Sequence, residues 1–291
     1  MVLDEGDWRS RELRYLQRVD AFLAPHEQRM RAGRPHPVWD FLFTYYSLKP
    51  RQLRRWHPGF GSALRGAGSR SFADRAGYGL FGHAVTVTTE YLAGRRETVV
   101  FVAELLAATA ARPARLNCFG LHEWAMVYRA PGVRHAQVPL RLGASATDSV
   151  VESIPLRCSH FDAYRFFTEP AVPRNSEALT RHAQSATEQP GCVHANMDLY
   201  KWSYKLGPLL ESNLLMDCLD LAADARVLDM QASPYDLSDY GIEPVAIEDS
   251  AGRAEYVRRQ QDIANRAVPL RDSLANRCRE LLSVRNDGGA Q

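Results

Sequence analysis

Apolar residues recur at helical spacing across residues 5–31. Trp8, Leu13, Leu16, Val19 and Leu23 form one stripe, and Arg9, Arg11, Arg14 and Arg18 populate the other side. This predicts an amphipathic helix stopped by Pro35 and Pro37. Residues 38–46 are almost all aromatic or aliphatic and read as buried on several sides. Residues 62–80, rich in Gly, Ser and Arg, read as a loop. Ala84 to Thr88 alternates and is β-branched, which predicts a short strand. A helix is expected from about Arg95 to Ala111, and strand-like pieces at Gln137–Arg141 and Val150–Leu156. Beyond these the spacing predicts helices near 176–187, 193–206, 212–230 and 252–284, with Pro269 expected to kink or divide the last.

The pattern adds up to a mainly α fold with a minor β element, arranged as a compact helical domain, with α+β as the second choice. There is no repeat of solenoid length and no linker that compels a boundary. Residues 1–291 therefore read as one compact domain. The alternative is a basic helical part, 1–115, followed by a part, 116–291, that holds the histidine and carboxylate clusters.

With 45% apolar and 24% charged residues in 291, the chain is globular and large enough to close a core. Its acidic start lacks the apolar stretch of a signal peptide. The most apolar segment, Val99 to Ala111, contains Glu104 and is too short for a bilayer span. Five cysteines without a secretion signal point to reduced thiols. The expectation is a soluble cytoplasmic protein with no membrane partner. Charge is uneven: residues 1–150 carry a surplus of eight positive charges and residues 151–291 a deficit of six. No basic run exists, so nucleic acid is a possible partner that charge alone does not indicate.

Chemistry concentrates in three segments that place a cysteine before a histidine, with a carboxylate beside or after it. They are Cys118-Phe-Gly-Leu-His122-Glu123-Trp, Cys158-Ser-His160-Phe-Asp162 and Cys192-Val-His194-Ala-Asn-Met-Asp198. On a helix His194 and Asp198 are i and i+4 and share a face, where one ion would bridge them. On an extended segment His160 and Asp162 point the same way. Two histidines and one carboxylate form the ligand set of open non-haem iron sites. His122, His160, Asp162, His194 and Asp198 are thus the candidate ligands of a divalent transition metal, Fe(II) foremost and Mn(II) or Zn(II) as alternatives, one ion or two. His122 and Glu123 diverge on any regular element, so only one of them is expected to face the ion. The cysteines read as small buried fillers. Each motif has a structural alternative: Asp162 as a helix cap, Asp198 paired with Lys201 or Lys205, and His122 as a core histidine.

Upstream, Arg54, Arg55 and His57 precede a Pro58-Gly-Phe-Gly61 turn that would present backbone N–H groups to an anion. They are candidates for holding an anionic group of a small-molecule substrate, with the aromatics as core and the arginines as a solvated face as the alternative. Glu123, Tyr164 and Tyr200 are the candidate catalytic or pocket-lining residues, and Trp124 a candidate substrate contact.

Six strings resemble one actinobacterial protein family, commonly labelled "3-methyladenine DNA glycosylase". They are Asp40-Phe-Leu-Phe-Thr-Tyr-Tyr46, Arg55-Trp-His-Pro-Gly59, Phe119-Gly-Leu-His-Glu-Trp-Ala-Met-Val-Tyr128, Cys158-Ser-His-Phe-Asp162, Met197-Asp-Leu-Tyr-Lys-Trp202 and Ala232-Ser-Pro-Tyr-Asp236. The resemblance covers nearly the whole chain. It also accounts for the basic residues, of which only Lys49, Lys201 and Lys205 are lysine, as the composition of a GC-rich genome. It implies an N-glycosylase acting on alkylated DNA bases or nucleosides. In that case Asp198 or Glu123 stabilises the oxocarbenium ion and Trp124 or Tyr128 stacks on the base. The residues themselves favour a metal-dependent enzyme, an oxidoreductase or hydrolase acting on a small polar substrate. A third reading is a helical binding protein whose His/Asp cluster is a hydrogen-bond network. Oligomeric state is left open by the sequence.

Overall fold

The computed structural model describes residues 1–131 and 138–284. The fold is mainly α with a small four-stranded sheet. The chain divides into two compact units. Unit 1 is built from Met1–Leu106, Leu199–Asp220 and the described residues from Leu270; unit 2 comes from the described residues of Ala107–Asp198 together with Leu221–Pro269.

Unit 1 begins with β1 (Val2–Leu3) and α1 (Glu5–Arg31). α1 buries Trp8, Tyr15, Val19 and Leu23, and carries Glu5 and Asp7 in its first turn and Arg29 and Arg31 in its last, each favourable to the helix dipole. Pro25 lies inside α1, and the helix ends ahead of Pro35 and Pro37, at a turn where Gly33 takes φ +63°. Short helical turns α2 (Phe41–Thr44) and α3 (Pro50–Leu53) follow. Residues 62–80, expected as loop, instead supply β2 (Ala63–Leu64), α4 (Arg70–Ala73) and most of β3 (Tyr78–Phe81). With β4 (Ala84–Val87) these strands pair in the order β1-β2-β4-β3, β1 parallel to β2 and the other pairs antiparallel. The Trp8 indole N–H donates to the Arg65 carbonyl at 2.9 Å, fixing α1 to the segment after β2. α5 (Thr89–Ala110) starts about a turn and a half before the expected Arg95.

Unit 2 contains α6 (Leu121–Ala125), α7 (Gly143–Ser153), α8 (Phe161–Tyr164) and α9 (Gln184–Thr187). The strand expected at Val150–Leu156 is mostly helix: Thr147, Val150 and Val151 are the buried side of α7. Gln137, first residue of the other expected strand piece, lies outside the described residues; of the remainder, Leu140 makes a single bridge to Tyr235. The helix expected at 176–187 shrinks to one 3₁₀ turn and α9. Its first part is held extended, because the Ser176 N–H donates to the Leu156 carbonyl and the Asn175 side chain bonds both backbone groups of Cys158. α10 (Val193–Leu206), α11 (Ser212–Gln231) and α12 (Ser250–Ser283) follow the predicted pattern closely, and α12 runs through Pro269 undivided. α5, α10, α11 and α12 each contribute residues to both units. Among the described residues no helix is long and apolar enough to cross a membrane.

Candidate metal centre

Everything that converges on the centre belongs to unit 2. α6 is entered through a tight turn in which Phe119 (φ +50°) and Gly120 (φ +70°) are both left-handed and the Leu121 N–H donates to the Cys118 carbonyl at 2.9 Å. For phenylalanine that conformation is strained. At Gly120 a Cβ would stand 3.1 Å from the Ala232 Cβ. The turn delivers His122 and Glu123 side by side into the interior, 6% and 5% exposed.

The start of α10 is set with similar care. Gln189 Oε1 accepts from the N–H groups of Arg115 and Gly191, and its amide donates back to the Arg115 carbonyl. A side chain at Gly191 would meet that carbonyl at 2.7 Å, so only glycine fits. On α12, Gln260 donates to the Gly191 carbonyl at 2.6 Å. This clamp places His194 in the first turn of α10 and Asp198 one turn later. α11 contributes Arg226 and Asp229, and Glu188 follows directly after α9.

These side chains form two adjoining groups of ligand-type atoms: His122, His194 and Asp229, and His160, Glu188 and Asp198. Within each group the atoms lie no more than 4.8 Å apart. In the first, His122 Nε2 is 2.9 Å from Asp229 Oδ1, and His194 Nε2 is 3.8 Å from Asp229 Oδ2. In the second, His160 Nε2 is 3.3 Å from Glu188 Oε1 and 3.4 Å from Asp198 Oδ2. The His194 ring joins the groups, with its centroid 4.3 Å from that of His122 and 5.4 Å from that of His160. His122 and His194 also line a cavity of about 20 Å³ together with Cys118, Cys158 and Cys192, room for roughly one water molecule.

Behind the first group Arg226 Nη1 donates to Glu123 Oε1 at 3.0 Å and to Asp229 Oδ2 at 2.8 Å, all three side chains being buried. Burial by itself would raise the Asp229 carboxyl. The His122 and His194 imidazoles and the Arg226 guanidinium outweigh it and hold that carboxyl below its usual range. His194 is pushed down to about 3, first by burial and then by His122, and is therefore neutral near pH 7. Burial pushes the Cys158 thiol up to about 12 and raises Cys118 and Cys192, so all three stay protonated. The five cysteines are free thiols.

The expected ligands divide differently from the sequence pattern. His194 and Asp198 share a face of α10 but serve separate groups. His160 falls in a group with Glu188 and Asp198, while the Asp162 carboxylate takes Arg165 at 3.2 Å and Arg181 at 3.3 Å. A one-turn helix begins at Phe161, so His160 precedes it while Asp162 lies within it, and the extended geometry that would align them is lost. Of His122 and Glu123, the histidine reaches the cluster and the glutamate holds Arg226. Trp124 is a core residue, fully buried with its indole N–H donating to the Ala232 carbonyl at 2.7 Å. Tyr164 packs on Phe167 at 5.1 Å.

Tyr200, Arg54, Arg55 and His57 belong to unit 1. Tyr200 is buried between Tyr46 and Tyr204. Asp20 and Glu27 engage the Arg54 guanidinium at 2.7 and 2.8 Å. Arg55 is exposed. His57 contacts the Tyr78 hydroxyl at 2.8 Å, and its N–H donates to Ser212 Oγ at 2.8 Å. In the Pro58–Gly61 turn the Phe60 N–H donates to the Leu209 carbonyl, and Gly59 packs on Glu211.

Sequence reasoning missed Asp229, Glu188 and Arg226. A signal existed for two of them. Arg226 and Asp229 interrupt an otherwise apolar stretch of α11, where Ala222, Ala225, Leu228 and Met230 are all buried, and charges among such residues need partners. Glu188 follows a short irregular segment with no periodicity to mark it. Comparison of the chain with protein-family models, with curated proteins and with solved structures gives no match.

Proposed function

We propose that unit 2 carries the centre of a metal-dependent enzyme, with a divalent transition ion held by His122, His194 and Asp229 and a small polar molecule as substrate. One observation carries this reading. His122, His194 and Asp229, brought in by α6, α10 and α11, hold their ligand-type atoms within 4.8 Å of one another, with His122 Nε2 2.9 Å from Asp229 Oδ1. A separation near 2.9 Å is what two neighbouring ligands make around an ion at about 2.1 Å from each.

The donor set supports the same reading. Two imidazoles and a carboxylate suit Fe(II) first and Mn(II) or Zn(II) next, and leave positions open for substrate. His194 is neutral and so keeps a lone pair for an ion. Arg226, anchored by Glu123, fixes the Asp229 carboxylate through its other oxygen, as outer partners do in metal sites. An ion bound there supplies Lewis-acid or redox chemistry to the substrate.

Elemental analysis of protein purified without a histidine tag tests the proposal. A transition metal near stoichiometric level, lost on chelation and restored by Fe(II) or Mn(II), is the expected result. Less than about a tenth of an equivalent, with no recovery on reconstitution, overturns it. Release of free base from alkylated DNA with chelator present would instead support an N-glycosylase.

A further inference from the structure

We infer that the centre is binuclear, with a second divalent ion held by His160, Glu188 and Asp198. The inference deepens the proposed metal-dependent function and rests on it for the neighbouring ion. The second ion has its own geometric argument.

His160 Nε2 stands 3.3 Å from Glu188 Oε1 and 3.4 Å from Asp198 Oδ2. A histidinium bonded to a carboxylate draws in to about 2.7–2.9 Å. Both contacts here are longer than that and nearly equal. An ion with nitrogen and oxygen ligands at about 2.0–2.1 Å in tetrahedral arrangement separates its ligands by about 3.3–3.4 Å. Two of the group's three separations thus match edges of such a tetrahedron, and all three ligand atoms lie within 4.8 Å of one another.

The three side chains are held in place from behind. Glu188 Oε1 accepts from the Gln184 amide at 2.6 Å, one helical turn away. The Glu188 carbonyl takes Arg112 Nη1 at 2.7 Å, fixing the backbone that carries the carboxylate. Asp198 rides on α10, and the His160 carbonyl receives the Tyr164 N–H at 3.0 Å. All three are at most 2% exposed, so bulk water does not compete for the ligand atoms. Such outer hydrogen bonds are what tunes and orients metal ligands.

The second group also lies beside the first. His194 and Asp198 are one turn apart on α10 and belong to different groups, which puts their Cβ atoms about 6 Å apart. The His160 and His194 rings are 5.4 Å apart between centroids, tilted by 31°. Paired metal ions in enzymes lie about 3.5–4 Å apart, a distance that ligands so placed can bracket. Pooled, three imidazoles and three carboxylates match a pair of ions. Two ions favour a substrate that offers two oxygen atoms, as in a phosphate or carboxylate group.

The experiment uses the full-length, untagged chain, stripped with chelator and titrated with Mn(II). Stoichiometry is read by elemental analysis and coupling between ions by electron paramagnetic resonance. The wild type is expected to bind two equivalents and show an exchange-coupled pair. Glu188→Gln and Asp198→Asn, both close in shape to the native residues, should each bind about one equivalent and show only the isolated-ion signal. Far-UV circular dichroism verifies that each variant is folded. A single equivalent in the wild type, lost in Asp229→Asn and unaffected by Glu188→Gln, overturns the binuclear inference and leaves the first reading standing. Two equivalents that persist in both Glu188→Gln and Asp198→Asn also overturn it, by placing the second ion elsewhere. No bound ion at all overturns both readings together.

Discussion

His194 and Asp198 sit one turn apart on the same face of α10 yet turn to different partners: His194 Nε2 lies 3.8 Å from Asp229, and Asp198 Oδ2 lies 3.4 Å from His160. The helix is therefore a wall common to two sites rather than a clip around one. Its first turn brings an imidazole to α6 and α11, and its second brings a carboxylate to the segments ahead of α8 and after α9.

Substitutions on the two sides should separate accordingly. Asp229→Asn removes the charge facing His122 and should weaken the first ion by more than the 10- to 100-fold typical of outer partners. It should leave binding at His160, Glu188 and Asp198 within a few-fold of wild type. Isothermal titration with Mn(II), comparing Asp229→Asn with Asp198→Asn and the double variant, measures this. Equal loss of all binding in either single variant would contradict two separable groups.

Arg226 donates to two buried carboxylates, Glu123 and Asp229. Arg226→Met leaves both buried without it and should cost about 3–5 kcal/mol of folding stability, because truncating one partner of a buried ion pair strands the other. Adding Glu123→Gln should restore part of that loss. Urea unfolding in chelator gives both numbers, and a loss under about 1 kcal/mol for Arg226→Met would show that the network carries little stability.

The long helices were legible from periodicity. α1, α10, α11 and α12 each place apolar residues at three- and four-residue steps, and the structure starts or ends them within about two residues of expectation at most ends. What periodicity missed was local. β2 is two residues long, too short to register alternation, and β3 lies in a glycine-rich stretch with Gly79 inside it. Val150 and Val151 look like strand because they are β-branched, while burial against unit 2 decides for helix. At the site, the segments with a cysteine two or four residues before a histidine contain all three imidazoles of the cluster, because type and spacing are local. The carboxylates opposite them, Glu188 and Asp229, come from distant positions that only folding brings near. Asp162 lies inside the one-turn helix that begins after His160, and its carboxylate takes Arg165 and Arg181.

Gly191 should prove intolerant of any side chain. Its N–H and carbonyl are bound by Gln189 and Gln260, and an added Cβ would lie 2.7 Å from the Arg115 carbonyl oxygen. Relief requires moving either the Arg115 strand of backbone or the first turn of α10. Gly191→Ala is expected to cost about 1–3 kcal/mol by overpacking and to loosen ion binding, since His194 is three residues on. Thermal unfolding and Mn(II) affinity of the variant check this, and a wild-type melting temperature would refute it.

The free thiols provide a check on the ligand assignment. Cys158, Cys192, Cys218 and Cys278 are buried, and burial raises each thiol. In native protein at pH 7.5 a thiol reagent should titrate at most Cys118, which is partly accessible, and reach five groups only in denaturant. Cys192→Ser should retain wild-type ion stoichiometry. Loss of an ion in that variant would move a sulfur into the ligand set.

His57 should make unit 1 sensitive to mild acid. Burial, reinforced by Arg75 and Arg55, pushes this imidazole down to about 4 from the ordinary 6.5. Above pH 6.5 it is neutral in folded and unfolded chain alike, and its contribution to stability is fully present. As pH falls from 6.5 toward 4 the unfolded chain takes up the proton and the folded chain does not. Stability is then lost at up to about 1.4 kcal/mol per pH unit from this group. His194 acts in the same direction and over a longer range, since its folded value lies near 3. Urea unfolding in chelator at pH 7.5, 6.0 and 5.0 should show the decline, and His57→Gln should make it shallower while losing the contact with the Tyr78 hydroxyl. A variant that declines as steeply as wild type would mean that His57 titrates alike in both states, and the acid sensitivity would then belong to His194.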